Sequence, residues 1–234
     1  DRFGKLFGSE MVKVMPNIKF DRFGDGKTDC RSENPLEKII TGDAPFMVLG
    51  SVRKEEETLV EKIILDIFNR KPDTVIGLFP RHMHRIKHWS KTLDRMNIKW
   101  ALRTNMAGRA AKGSVILWDS FGELVHAYKY TGAAFLGGSL APLGGQNFLE
   151  ALNCGVVPVT GPFWDNFSWV GPEIVNEGLL RVVEDWRGAS DALIEIIENF
   201  PSREKVISSA LKYINSRQGG AAFACRVIKD LLEK

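Results

Sequence analysis

The sequence predicts an α/β protein built on a doubly wound parallel sheet. Three observations carry this. Short apolar runs that end in glycine or proline alternate with stretches whose apolar residues recur at helical spacing. The apolar runs lack the polar alternation of a half-exposed strand, so helices must cover both faces of the sheet. The glycine-rich and polar motifs fall just after the runs, where open α/β sheets bind ligands.

In chain order, residues 1–21 read as a short helix followed by a strand over "MVKVMPNIKFD". Residues 22–44 are polar, rich in Gly and Asp, and read as a loop with one helical turn near Leu36 to Ile40. The alternation then begins. "PFMVLG" (45–50) is a buried strand, and Leu59, Ile63 and Ile67 mark the helix of 55–69. "DTVIGLFP" (73–80) is a strand, and 83–97 a helix with Ile86, Trp89, Leu93 and Met96 on one face. "KWALRT" (99–104) and "SVILWD" (114–119) are strands, 122–131 a helix, and "GAAFLGG" (132–138) a strand. Residues 147–155 form a helix stopped by Gly155, and "VVPVTG" (156–161) is a strand. A bent helix over 167–178 precedes the last strand, 179–183, and helices over 188–200, 202–216 and 219–233 finish the chain. The expected organisation is a tail and linker over 1–44, then one sheet domain over 45–234.

Composition excludes several classes. The 234 residues carry 32 basic and 29 acidic side chains, and a net charge of +3 does not imply nucleic acid. Cys30, Cys154 and Cys225 are dispersed and read as reduced thiols of a cytoplasmic protein. No apolar run approaches the roughly 20 residues that span a bilayer, and no signal peptide is visible. The chain opens on Asp1 rather than Met, as a fragment would. The histidines are bunched at 82–88 or isolated, so no metal site is expected.

Each candidate site lies after a strand. Gly50-Ser51 can present amides to a phosphate, or can be a tight turn with Ser51 as a cap, and Glu55, Glu56 and Glu57 would repel an anion there. Arg81, with His82, stands where a guanidinium can fork to phosphate. Arg81, Arg85, Arg95 and Lys99 form a basic helix face, either solvated or directed at anionic lipid or substrate. Ser120 and Glu123, with Gly122 between them, satisfy a capping box. "GGSLAPLGGQNFLEAL" (137–152) is the strongest signal. Its glycines, Gly144 and Gly145 among them, permit close backbone approach, with Gln146 and Asn147 leading into the next helix. Glu150, in the first turn, can accept from the vicinal hydroxyls of a ribose, or can simply favour the helix dipole. The stretch lacks the Walker GK[ST], and its position does not fit the GxGxxG fingerprint. Gly161-Pro162 and Asn166-Phe167 end the following strand and can wall a pocket.

Taken in order, "NIKFD", "VLGSVRKEEE", "PRHMHR", "DSFGEL", "FLGGSLAPLGGQNFLEAL" and "GPFWDNF" resemble the 3-deoxy-D-manno-octulosonic acid (Kdo) transferase family of Gram-negative bacteria. The resemblance runs over most of the chain and implies one half of a GT-B glycosyltransferase, the Rossmann-like carboxyl-terminal domain that holds CMP-Kdo. It implies that Gly144, Gly145, Gln146 and Asn147 lie near the donor phosphate and Glu150 near the ribose. Ser51, Arg81, His82, Ser120, Gly122 and Glu123 would line the same cleft. The family usually has His where Gln146 stands and Pro where Phe148 stands, and its "GN" before the lysine is Pro16-Asn17 here.

The implied reaction is inverting transfer of Kdo from CMP-Kdo to a hydroxyl of the lipid A precursor, in lipopolysaccharide synthesis. It implies no cofactor, no metal and no nucleic-acid partner. In this family the base is an acidic residue of the amino-terminal domain, to which nothing here corresponds, so no catalytic residue is named. The expectation is that the chain alone binds a cytidine nucleotide weakly and transfers nothing. The expected location is the cytoplasmic face of the inner membrane, with peripheral contact to anionic lipid. Two other readings stay open: a GT-B donor domain for a UDP-sugar, and a non-enzymatic membrane-surface module using the basic helix.

Overall fold

The computed structural model describes residues 2–23, 35–40 and 44–233. The chain begins with α1 (Arg2–Phe7), and no strand forms over 11–21. Val14 is 91% exposed and Met11 79%, and among the described residues this segment has no neighbouring strand to pair with. One turn at Leu36–Ile40 forms as expected, with Leu36 O accepting from Ile40 N at 2.8 Å. Most of the polar stretch around it lies outside the described residues.

The alternation follows. β1 (Phe46–Val52), α2 (Glu57–Arg70), β2 (Val75–Pro80), α3 (Ile86–Arg95), β3 (Lys99–Leu102) and β4 (Ser114–Leu117) come first. Then come α4 (Leu124–Tyr128), β5 (Ala133–Leu136), α5 (Leu149–Asn153), β6 (Pro158–Thr160), α6 (Glu173–Asn176) and β7 (Arg181–Val182). The chain closes with α7 (Trp186–Glu198), α8 (Arg203–Asn215) and α9 (Gly220–Leu232). The seven strands pair in parallel in the order β3-β4-β2-β1-β5-β6-β7. The sheet is the doubly wound one that the sequence predicts.

Contacts divide the chain into two compact units. One comprises Arg31–Ala210; the other comprises Asp1–Cys30 with Leu211–Lys234. In the larger unit, β1, β2, β4 and β5 are buried along nearly their whole length, which explains their unbroken apolar character. Val60, Ile63, Ile64 and Ile67 of α2 pack into the core with Trp89 and Leu93 of α3 and Leu193 of α7. Asp185 caps α7 by accepting from Gly188 N at 2.9 Å. The sheet borders are slight: β3 alternates exposed and half-buried residues, and β7 has two residues. In the smaller unit, Asp21 accepts from Gly219 N (2.7 Å) and Ala221 N (2.6 Å) at the start of α9.

The basic face expected on α3 is partly cancelled. Arg85 forks onto Glu57, which also faces His88 Nε2 at 3.2 Å, and Arg95 meets Glu61 at 2.7 Å. Two helix faces that each look solvated in sequence are partners across α2 and α3.

Candidate functional site

The sheet order fixes where a crevice opens. From β1 the chain winds to β2 and outward, then returns to place β5 on the other side of β1. Strand order reverses between β1 and β5, and their carboxyl ends flank a topological switch point. Gly50-Ser51 leaves one of these ends and Gly137-Gly138 the other, and Gly137 N donates to Gly50 O at 2.8 Å.

At the β1 exit the register against β2 slips between Leu49 and Val52. Ser51 sits in this bulge at φ 57, a left-handed conformation that costs a non-glycine residue about 1 kcal/mol or more. Ser51 does not cap the following helix. The chain enters α2 through a single 3₁₀ turn, Lys54–Glu56, and that turn delivers Glu56 inward.

Glu56 is the residue that sequence reasoning missed. It is fully buried, and its carboxylate accepts four main-chain amides. Arg53 N and Gly138 N donate to Oε1 at 2.9 and 2.6 Å; Ser139 N and Leu140 N donate to Oε2 at 3.2 and 3.3 Å. Burial raises its pKa above the ordinary 4.5, against the pull of the four amides. Three consecutive glutamates read as dipole-friendly surface in the sequence. Glu56 instead holds the turn after β5, and Glu57 is taken by Arg85, so the anion repulsion expected of the trio falls mainly to Glu55.

A cleft of about 120 Å³ opens beside this corner, at the ends of β1, β2 and β4. It brings together Ser51, Arg81, Ser120 and Gly122 over a floor of Phe79 and Trp118, whose rings stack at 4.1 Å. Arg81 is held by its main chain, N donating to Val52 O at 2.8 Å, while its side chain is exposed. Phe121, 78% exposed, stands at the mouth. His82 does not line the cleft; its exposed ring stacks on His84 at 5.5 Å.

The capping box expected of Ser120 and Glu123 does not form. α4 starts at Leu124 with no side-chain cap. Glu123 turns away to Arg103 (2.9 Å), Trp118 Nε1 (2.8 Å) and Ser120 Oγ (3.0 Å). A guanidinium and an indole N–H outbid a helix amide for the carboxylate. Asp119 accepts from Thr104 N at 3.0 Å, so this loop is tied to the β3 exit as well.

Gly144, Gly145, Gln146, Asn147 and Glu150 stand on the β5 side of β1. Asn147 Oδ1 accepts from Leu149 N (3.2 Å), and its Nδ2 donates to Glu150 Oε1 (2.8 Å). Glu150 is half-buried in the first turn of α5, as expected. The glycines also serve the chain's own packing. A Cβ at Gly144 (φ 82) would strike the Asn166 side chain, and one at Gly145 would stand 3.1 Å from Trp164 Cα. A Cβ at Gly137 would lie 2.6 Å from Ser51 O. Phe148, in the position of the usual family proline, is buried against Phe167 and Trp164 with centroids at 5.2 and 6.1 Å.

Two further residues support this face. Arg203 donates to the carbonyls of Tyr128 (3.1 Å), Cys154 (2.7 Å) and Thr131 (2.6 Å), clamping the ends of α4 and α5. Tyr128 is fully buried, and its hydroxyl, beside Gly50, has no hydrogen-bond partner. Burial, with Glu150 and Cys154 adding to it, pushes that phenol well above 10.0. Neither is visible in the sequence, because each acts across elements distant along the chain.

No protein-family model matches the chain. It is 25% identical over 229 residues to the 3-deoxy-D-manno-octulosonic acid transferase of Haemophilus influenzae, covering 97% of this chain and 53% of that protein. It is 28% identical over 202 residues to a bifunctional glycosyltransferase/methyltransferase of Fusobacterium nucleatum, covering 86% of this chain and 31% of that protein. The chain thus spans about half, or less, of the curated relatives it matches. Among solved structures, the C-terminal CMP-Kdo binding domain of WaaA from Acinetobacter baumannii superposes with a TM-score of 0.67 at 25% identity. That match covers 74% of this chain and 90% of the other.

Proposed function

We propose that this chain is a member of the 3-deoxy-D-manno-octulosonic acid transferase family, to whose proteins it is 25% and 28% identical over most of its length, and that its switch-point crevice binds CMP-Kdo. The observation that carries the reading is the meeting of Ser51, Arg81, Ser120 and Gly122 in one cleft beside the glycine-rich turn after β5. The Acinetobacter domain that binds CMP-Kdo supports it through the same sheet.

In this reading the cytidine lies in the cleft above the buried Phe79–Trp118 pair, where the exposed ring of Phe121 gives a base an aromatic face to stack on. Arg81 offers a forked charge to the phosphate. Glu150, already oriented by Asn147, accepts from the ribose hydroxyls. The donor is thereby held with its anomeric carbon toward an acceptor. In the transfer, an acceptor hydroxyl attacks that carbon, its proton passes to a base outside this chain, and the bond to the phosphate oxygen breaks. CMP leaves and the configuration inverts. The acceptor is lipid A precursor, at the cytoplasmic face of the inner membrane, where Lys87 and Lys91 present exposed charge to anionic lipid. The chain itself supplies the donor's grip and not the base.

The test is calorimetric titration with CMP, UMP and UDP. CMP binds and UMP and UDP bind at least tenfold more weakly; Glu150→Ala lowers CMP affinity about tenfold, the value of one hydrogen-bonded contact to a charged group. Equal or tighter binding of UDP moves the chain to the UDP-sugar enzymes. Salt-sensitive binding to anionic vesicles with no CMP binding moves it to a membrane-surface module.

A further inference from the structure

Gly138 turns the chain at φ 70 directly above the Glu56 carboxylate, and two side chains flank it. A Cβ placed there would stand 3.2 Å from Gln146 Nε2 and 3.6 Å from Arg53 Cγ. Gln146 is neutral. Arg53 is the cation at this turn, and its Nε is buried with no hydrogen-bond partner. Its own main-chain N–H shares Glu56 Oε1 with Gly138, so the corner that seats the turn also fixes the base of the Arg53 side chain. A buried guanidinium nitrogen without an acceptor is costly to leave unmade, and guanidinium matches the geometry of phosphate oxygens.

We infer that Arg53 is a phosphate-binding residue of the donor site, closing on the phosphate from the β1 side while Gln146 donates from the β5 side. This rests on the donor-site reading above and adds a residue to it. Arg53 follows the bulge at Ser51 by two residues, and Arg81 is tied to Val52 O by its main chain at 2.8 Å, so a phosphate bound at this turn has two cations rooted close by. The competing role for Arg53 is structural, as counter-charge to Glu56 beneath it, and the two roles separate by experiment.

The chain is titrated with CMP, with cytidine and with inorganic phosphate, as wild type, Arg53→Gln, Arg53→Lys and Arg53→Gln with Gln146→His, and each variant is melted without ligand. Arg53→Gln weakens CMP tenfold or more, leaves cytidine within twofold, and leaves the melting temperature unchanged. Arg53→Lys retains most CMP affinity, so a folding failure of the Gln variant does not shelter the proposal. Adding Gln146→His restores a cation across Gly138 and recovers CMP binding at pH 6 but not at pH 8. Equal loss of CMP and cytidine, or CMP affinity unchanged in Arg53→Gln, overturns the inference. Wild-type protein that takes up neither CMP nor cytidine overturns the donor-site reading itself.

Discussion

Replacing Glu56 by Gln isolates the contact on which the switch-point corner depends. Gln keeps one carbonyl oxygen for Arg53 N and Gly138 N but turns an NH₂ toward Ser139 N and Leu140 N. Two amides then face a donor, and the two that remain lose a charged acceptor. Hydrogen bonds to a charged group contribute about 1.5–3 kcal/mol each, and the two lost ones are long, so the gross loss is about 3 kcal/mol. Burial of the carboxylate works the other way: its pKa lies above the ordinary 4.5, so removing the charge offsets part of that loss. The net expectation is destabilisation of at most about 3 kcal/mol, read by urea unfolding with linear extrapolation. The pH arm has a definite sign. A raised folded pKa means the folded state prefers the protonated acid. The margin of wild type over Glu56→Gln is therefore largest below pH 4.5 and shrinks as pH rises through the raised value. A variant as stable as wild type to within about 0.5 kcal/mol, or a margin that grows with pH, refutes the account of the amide cage.

Other predictions are simpler. Tyr128→Phe removes a buried hydroxyl that has no partner, so unfolding free energy rises by up to about 1 kcal/mol or stays level; a loss above that in urea melts shows the hydroxyl was bonded. Gly161→Ala drives a methyl into the Ser139 main-chain carbonyl and costs about 1–3 kcal/mol. Gly144→Ala meets only the movable Asn166 side chain and costs about 1–2 kcal/mol through its left-handed φ; the reverse ranking in thermal melts breaks the argument. Asp21 is held below its ordinary 3.8 by amides of Ala221 and Gly219, so its support for the start of α9 is present above that value and fades as pH falls below it. Exchange of the Ala221 amide followed from pH 6 to pH 2 accelerates beyond the intrinsic rate only in that acidic window.

What the sequence disclosed follows from how locally each feature is determined. β1, β2, β4 and β5 are buried on both faces, so their apolar runs need no distant information. The segment over 11–21 has strand-forming residues, but a strand is defined by its neighbour, and none pairs with it among the described residues. The helix expected over 122–131 contracts to Leu124–Tyr128 because Glu123 is drawn to Arg103 and Trp118 from another loop. The glycine-rich turn and Glu150 were legible from spacing. Glu56 was not, because the three glutamates are equivalent until the amides of Gly138, Ser139 and Leu140 select one. Arg203 and Tyr128 escaped for the same reason.

The slight borders of the sheet carry a consequence for how this protein meets others. A long bare strand invites a foreign strand to dock and propagate into fibrils. Here one flank offers two residues, with Arg181 bonded to Glu195 at 2.9 Å, and the other offers Lys99 on a ribbon of four. Neither presents enough open backbone to template a neighbour, so crowding at high expression favours dispersed molecules over stacked ones.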